Sequence, residues 1–263
     1  MIEKQNAMDR EWDILILLDG CRYDYFKEYN TIKGNLKKVV SPSTGTKDWF
    51  ERIINSKCDD IIYLTPIVKF DTWYPNHGLF KEVKLWGDKK SFKYSALNPL
   101  DISRIAGEYI KKYPNKRIIV HFLVPHPPFL TMAPEHKEKI KKESLKTDEN
   151  IKKSKLKRKF LFIIWMLKQR FPTIIFWHLE RLLGLHGGML VLYKTGGFKL
   201  IRELYRNNLI LALSAINKIY TRGKMIITAD HGQRLGEYGM FGHGGWRSKS
   251  VIEVPWFEVE KCK

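Results

Sequence analysis

Two apolar runs lie near opposite ends of this 263-residue chain, and each ends in residues able to bind a cation. Ile14-Leu15-Ile16-Leu17-Leu18 runs into Asp19-Gly20, and Met225-Ile226-Ile227-Thr228-Ala229 runs into Asp230-His231-Gly232. A run without polar alternation reads as a strand buried on both faces, the habit of parallel sheets covered by helices. In open α/β sheets, ligands collect beyond the carboxyl ends of the strands. Both motifs therefore predict one sheet with its working edge on that side, and a site that folding assembles from distant residues.

Between the runs, strand and helix signals alternate. Cys21 to Tyr29 reads as a turn or short helix, and a segment reaching Val39-Val40 leads into the polar cluster Ser41-Pro42-Ser43-Thr44-Gly45-Thr46. The spacing predicts a helix from Lys47 to Ile54, a short strand from Ile61 to Leu64 and a helix from Leu100 to Lys112. A strand from Arg117 to Val124 should follow, ending in Pro125-His126-Pro127-Pro128-Phe129. Apolar positions at Leu209, Leu211, Leu213, Ala215, Ile216 and Ile219 predict a helix from Asn208 to Tyr220 that feeds the Asp230 strand. The order is β, α, β, α, β, α, β with right-handed crossovers expected.

The middle of the chain breaks this pattern. From His136 to Lys159 lysine dominates with scattered acids, as in a solvated surface excursion. Phe160-Leu161-Phe162-Ile163-Ile164-Trp165-Met166-Leu167 follows, then Lys168, Arg170 and Ile174-Ile175-Phe176-Trp177. These runs fall short of the roughly 20 apolar residues that cross a bilayer, so spanning is disfavoured. Aromatic amphipathic segments beside a basic flank fit either a helical lid on the core or an element lying on a membrane surface. With 44% hydrophobic residues the chain can bury one substantial core. A single α/β domain over 1–263, with a basic helical insertion at about 136–200, is expected.

The net charge of +19 calls for an anionic partner: phosphate or sulfate esters, nucleic acid, or an anionic membrane surface. Lysine concentrates in the insertion, without an aromatic-interleaved nucleic-acid motif, which disfavours nucleic acid. Cys21, Cys58 and Cys262 are an odd number at unrelated spacings, against a disulfide framework or a cysteine zinc cluster. The first eleven residues are polar and charged with no apolar core of a leader. A cytoplasmic protein is the expectation, with the insertion as the candidate for peripheral membrane contact.

Asp19 and Asp230 offer anionic oxygen and His231 offers imidazole nitrogen, a mixture suited to zinc or manganese more than to calcium. His243, within Phe241-Gly242-His243-Gly244-Gly245, sits on a glycine-flanked loop that can approach a ligand closely. Singly, a strand-end Asp can cap a helix and a lone His can be an ordinary hydrogen-bonded residue. The adjacency of Asp230 and His231, added to Asp19, favours a site.

Leu18-Asp19-Gly20-Cys21-Arg22-Tyr23-Asp24, Val124-Pro125-His126-Pro127-Pro128-Phe129, Thr228-Ala229-Asp230-His231-Gly232-Gln233-Arg234-Leu235-Gly236-Glu237 and Gly242-His243-Gly244 together resemble the ordered motifs of the alkaline phosphatase and sulfatase superfamily. The resemblance covers most of the chain outside roughly 136–200. It implies a three-layer α/β/α sandwich with a mixed, mostly parallel sheet. It also implies that Asp19, Asp230 and His231 hold a metal, and that His243 is a second metal ligand or a substrate contact. His126 would face the transferred group or its leaving oxygen. A hydroxyl nucleophile belongs on the loop before the next helix, with Ser41, Ser43, Thr44 and Thr46 as candidates. Thr46 is favoured because it directly precedes a helix, whose free N–H groups and positive dipole end suit phosphoryl or sulfuryl oxygens. Thr46 or Thr44 as a plain N-cap is the alternative.

Departures narrow the comparison. The family's formylglycine sulfatases carry Cys-x-Pro-x-Arg, whereas this chain reads Val40-Ser41-Pro42-Ser43-Thr44. Phosphodiesterases, phosphatases and phosphoethanolamine or phosphoglycerol transferases with a Thr or Ser nucleophile stay open. A formylglycine-independent sulfatase-like hydrolase and a non-catalytic basic binding protein are the alternatives. Phe122 stands where two-metal members place an Asp four residues before a His. One tightly held divalent ion, Mn or Zn, is therefore expected on Asp19, Thr46, Asp230 and His231, with a second through His126 and His243 left open. Thr46 would attack phosphorus to give a phosphothreonine, with His126 or His243 assisting the departing alkoxide; water or an acceptor hydroxyl would resolve it. Arg22 and Arg234 could grip phosphate oxygens or serve as structural ion-pair partners, with Asp24 and Glu237 as their acids. The expected substrate is an anionic phosphate or sulfate ester, lipid- or glycan-linked.

Overall fold

A computed structural model describes residues 2–54, 58–67, 78–84, 98–152, 163–164, 167, 171–182, 188–219 and 222–260. Its contacts divide the chain into two compact units: Met1–Leu130 with Arg206–Gln233 and Arg247–Lys263, and Thr131–Tyr205 with Arg234–Trp246. The second unit contains the span 136–200 and adds the segment that carries His243.

The first unit is built on eight strands: β1 (Glu3–Lys4), β2 (Ile14–Leu18), β3 (Gly34–Val40), β4 (Cys58–Thr65), β5 (Leu79–Lys84), β6 (Arg117–Phe122), β7 (Met225–Ala229) and, beyond two short strands of the second unit, β10 (Glu253–Val259). Their order is β1-β3-β10-β7-β2-β6-β4-β5. Every pairing is parallel except the two made by β10, so seven strands point one way and one is reversed. This is the mixed, mostly parallel α/β sheet that was expected. β2 and β7 are buried at every position because each has a strand on both sides and helices to cover it. Leu17 of β2 pairs with His121 on one side and Thr228 on the other.

Helices α1 (Tyr23–Tyr29), α2 (Thr46–Ile53) and α3 (Pro99–Lys112) belong to this unit. Trp49, Phe50 and Ile53 from α2 and Ile102, Ala106 and Ile110 from α3 enter one core with Ile14–Leu18, Ile118–Val120 and Ile226-Ile227. Their spacing of three or four places them on one helix face. The Asn98 side chain caps α3 by accepting from the Leu100 N–H, with Pro99 at the first helical position.

The second unit holds α4 (Pro134–Lys152), α5 (Thr173–Leu182), the first part of α6 (Gly188–Ile216) and the hairpin of β8 (Arg234–Leu235) and β9 (Phe241–Gly242). Trp177 packs against Tyr193, Phe198 and Phe241 with ring centres 4.9, 5.8 and 6.3 Å apart. The lysine-rich stretch, expected as a surface excursion, is helical to Lys152, since Lys and Glu are good helix formers. Residues 153–162, 165–166 and 168–170, with most of the expected aromatic run, lie outside the described residues. No described helix is long and apolar enough to cross a membrane.

Several boundaries differ from expectation. The helix expected from Asn208 begins at Gly188 and bends at Gly197 (φ 62°), whose lack of a side chain tolerates that conformation. It ends at Ile216, and Tyr220 lies outside the described residues. β6 stops at Phe122, because Pro125 cannot donate to a ladder and restricts Val124 before it. α2 starts at Thr46 and its N-cap is Gly45, so neither Thr44 nor Thr46 is the cap. Strands β1, β3, β5 and β10 were not anticipated as strands. Cys21 and Cys58 are buried.

Candidate active site

Strands β2, β3, β6 and β7 share one direction, so the residues that follow each of them emerge at a single edge of the sheet. Asp19 follows β2, the Ser41–Thr46 loop follows β3, the His126 loop follows β6 and Asp230-His231 follows β7. The Asp19 N–H donates to Phe122 O (2.9 Å) and the His126 N–H to Asp19 O (3.1 Å), tying two of these ends together. Gly20 has φ +68°, and a Cβ there would lie 3.5 Å from the His126 ring and 3.6 Å from the His231 ring. Glycine permits the left-handed turn, while a Cβ there would make only ordinary contact with the two imidazoles.

Asp230 is the hub. Its Oδ1 accepts from the N–H groups of Gly20 (3.1 Å) and His231 (2.9 Å), and its Oδ2 accepts from the Thr46 hydroxyl (2.6 Å). Thr46 is the first residue of α2, where the leading N–H groups have no intrahelical partner. Two competing hydroxyls are engaged by the loop itself. Ser41 Oγ donates to Asp230 O and accepts from Ser43 N–H, while Ser43 Oγ donates to Gly45 O and accepts from Gly45 N–H.

Two residues that the sequence did not bring forward brace this arrangement. Arg247 donates to Pro42 O (2.8 Å) and Ser41 O (2.9 Å), fixing the loop. Buried Gln5 accepts from the Trp49 indole N–H (2.8 Å) and donates to Thr228 Oγ1 (2.7 Å) and Ala229 O (2.8 Å). One amide therefore stitches the helix that starts with Thr46 to the strand that ends at Asp230.

His231 Nδ1–H donates to Gly232 O (2.8 Å), which leaves Nε2 as an acceptor, 3.4 Å from Asp230 Oδ2 and 3.6 Å from Asp19 Oδ1. Burial pushes its pKa down to about 3, so the ring is neutral at pH 7. Burial, and then the charge of Asp230, hold the Asp19 carboxyl well above the usual carboxylate range. Asp19 Oδ1 is buried and has no hydrogen-bond partner among the described residues.

A third imidazole joins them. Asp19, His121 and Asp230 each bring one donor atom to within 4.8 Å of the others. His121 is fully buried on β6, and burial lowers its pKa to about 4 against the opposing pull of Asp230. Its Nδ1 meets the Tyr63 hydroxyl at 2.7 Å, and its Nε2 has no hydrogen-bond partner among the described residues. The signal in the sequence was a single His near the end of an otherwise apolar strand, which on its own reads as a core histidine.

The remaining candidates divide. Half-buried His126 donates its Nδ1–H to Pro127 O (2.7 Å), so a neutral ring offers a lone pair at Nε2, and burial favours that neutral form. Arg22 makes a paired contact with Asp24 (2.9 and 2.6 Å) and donates to Gln233 O (3.3 Å). Arg234 lies in the second unit, where it donates to Gly244 O (3.0 Å) and Trp246 O (3.1 Å) on either side of the His243 loop. Glu237 accepts from the Leu235 N–H (2.7 Å). The first unit thus gathers Asp19, Thr46, His126, Asp230 and His231 and adds His121; His243 belongs to the second unit.

No protein-family model and no curated relative matches the chain. Among solved structures, the soluble domain of lipooligosaccharide phosphoethanolamine transferase A from Neisseria meningitidis is 12% identical, with 94% of this chain and 75% of that one covered at a TM-score of 0.51. The integral membrane protein from the same organism matches 97% of this chain and 49% of its own length, at 13% identity and a TM-score of 0.50. A candidate sulfatase from Bacteroides thetaiotaomicron reaches a TM-score of 0.52 at 9% identity, covering 94% of this chain and 64% of that one. Taken with the eight-stranded sheet and its acid-bearing strand ends, these likenesses show that the chain has the fold of the alkaline phosphatase and sulfatase superfamily.

Proposed function

We propose that this protein is a dication-dependent phosphoryl-transfer enzyme with Thr46 as its nucleophile, acting as a phosphodiesterase, phosphatase or phospho-group transferase. The observation that carries this reading is the 2.6 Å hydrogen bond from the Thr46 hydroxyl to Asp230, at the head of α2 and inside a cluster of buried acceptors. The cluster fits a cation. His231 Nε2 lies 3.4 Å from Asp230 Oδ2 and 3.6 Å from Asp19 Oδ1, and Asp19, His121 and Asp230 each bring one donor atom to within 4.8 Å of the others. Asp19, Thr46, Asp230 and His231 would hold the ion, with His121 as a further donor. The oxygen and nitrogen mixture suits zinc or manganese. Bound there, a dication supplies Lewis acidity and the countercharge that the buried carboxylates lack.

The chain's own groups then account for the chemistry. The Thr46 proton passes to its hydrogen-bond partner Asp230 as Oγ1 bonds phosphorus and the bond to the departing oxygen breaks. The departing alkoxide is protonated by solvent, and Asp230 keeps its proton until it returns to the Thr46 oxygen when the phosphothreonine is resolved. The N–H groups of the first turn of α2 receive the equatorial oxygens. Neutral His126, with its Nε2 lone pair, takes the proton of the water or acceptor hydroxyl that resolves the phosphothreonine. A phosphate ester carried on a lipid or glycan is the substrate class we favour, supported by the lipooligosaccharide named for the neighbours and by the lysine-rich second unit.

The test is hydrolysis of a nitrophenyl phosphodiester by chelator-stripped protein supplied with zinc or manganese, with acid-quenched peptides searched for phosphothreonine. Thr46→Ala should lower kcat by ~10³-fold or more and abolish the modified peptide. A Thr46→Ala protein that turns over like the wild type would refute the assignment.

A further inference from the structure

The geometry points to Tyr63 as a positioning residue of the cation site, acting through His121. The inference rests on the phosphoryl-transfer reading, since that reading supplies the cation.

β4 lies beside β6, and the two residues reach each other across that pair: Tyr63 is 1% and His121 0% exposed. The phenol meets His121 Nδ1 at 2.7 Å, and Phe50 of α2 packs on the Tyr63 ring with centres 5.7 Å apart. His121 brings a ring nitrogen to within 4.8 Å of both carboxylates. Nδ1 is taken by Tyr63 and Nε2 has no hydrogen-bond partner among the described residues, so Nε2 is the atom available as a ligand.

A neutral imidazole has one proton to place, and a phenol both donates and accepts. When the site is empty of cation, Tyr63 can donate to Nδ1 while Nε2 keeps its proton. When a cation takes the Nε2 lone pair, Nδ1–H can donate back to the same phenolic oxygen. Tyr63 thus gives Nδ1 a partner in both tautomers, and it holds the ring in one orientation throughout. Partners of this kind on ligating histidines fix tautomer and direction, and their loss costs ~10 to 100-fold in metal affinity.

Calorimetric titration of the chelator-stripped chain with Zn²⁺ and with Mn²⁺ decides the matter, for wild type, Asp230→Asn, Tyr63→Phe, His121→Ala and the last two combined. Tyr63→Phe should weaken binding ~10-fold or more, and His121→Ala at least as much. The combined variant should bind no more weakly than His121→Ala alone, because Tyr63 acts through that ring. Nitrogen-15 spectra of the wild type should show the His121 proton moving from Nε2 to Nδ1 as zinc is added. A purely structural tyrosine would move neither the coupling nor the spectrum. Wild-type affinity in Tyr63→Phe, or losses that add in the combined variant, would overturn the inference while leaving wild-type binding, abolished in Asp230→Asn, to support the enzyme. No cation uptake by the wild type would overturn both.

Discussion

The two units distribute polarity in opposite ways. In the first, polar side chains are buried or half-buried and bonded to residues distant in sequence: Gln5 to Thr228, Ser41 and Thr46 to Asp230, Tyr63 to His121. In the second, large apolar side chains lie at the surface, among them Ile175 (58%), Tyr238 (73%) and Trp246 (52%), and α4 carries exposed lysines. Tyr238 stacks near Trp246 with ring centres 5.6 Å apart, and it holds the left-handed φ of 54° that non-glycine residues rarely adopt. Buried polar networks fix geometry, whereas exposed aromatic and basic groups recruit partners. Under the proposed function, chemistry would belong to the first unit and substrate attachment to the second, and this division can be broken by experiment.

The largest effect should come from Asp230→Asn, which keeps the shape but removes the charge that three hydrogen bonds share. Turnover should drop ~10³-fold or more and cation binding should vanish; retained turnover would place the chemistry elsewhere. Arg247→Ala should free the loop before Thr46 and lower kcat by ~10 to 100-fold, with a smaller loss of cation affinity because three of the four proposed ligands stay in place. Equal losses in both would show that Arg247 supports the fold rather than the nucleophile. Replacing exposed Lys139, Lys141 and Lys142 with Glu should cut sedimentation with anionic vesicles by roughly tenfold, at ~1 kcal/mol per lysine near a charged surface. Small-diester turnover should stay within about twofold of the wild type, and a parallel fall would dissolve the proposed division.

The smallest effect is thermal. His121 and His231 are held to about 4 and about 3, and His126 is also lowered, so folded imidazoles stay neutral while unfolded ones titrate near ~6.5. Between those values the unfolded chain binds the extra protons of these three rings, less the one that Asp19, with its raised pKa, retains when folded. More protons on the unfolded side means that stability falls as pH drops through this window. The metal-free protein should melt several degrees lower at pH 5 than at pH 7 by scanning calorimetry. An unchanged or higher melting point at pH 5 would show that these rings are charged when folded.

β2 and β7 were legible because strands buried on both faces read as unbroken apolar runs, and the acids that end them named the edge. β3 was not, since Gly-Asn-Leu-Lys-Lys-Val-Val mixes exposed and half-buried positions up to its last turn into the core. β10 was hidden by Pro255, a residue that argues against a strand between two neighbours. The fold tolerates it there, and its carbonyl accepts from Thr228 Oγ1 (2.6 Å). The first-unit ligand candidates and Thr46 were readable from strand ends and a helix start. His121, Gln5 and Arg247 were not, because their meaning depends on partners in other elements.

The reversed strand β10 carries a further consequence, for the order of events as the chain folds. Among the described strands it is the sole connection between the β1-β3 pair and the group of β7, β2, β6, β4 and β5. The loop bearing Thr46 leaves β3 and the acids leave β2 and β7, so nucleophile and carboxylates belong to two half-sheets until residues 253–259 arrive. Contacts of such long sequence separation form late, after much chain entropy has been lost. Residues 225–229 leave the ribosome before 253–259, so during synthesis the strand that carries Asp230 can join β2 before β10 joins β3, and β10 would then act as the keystone that arms the site.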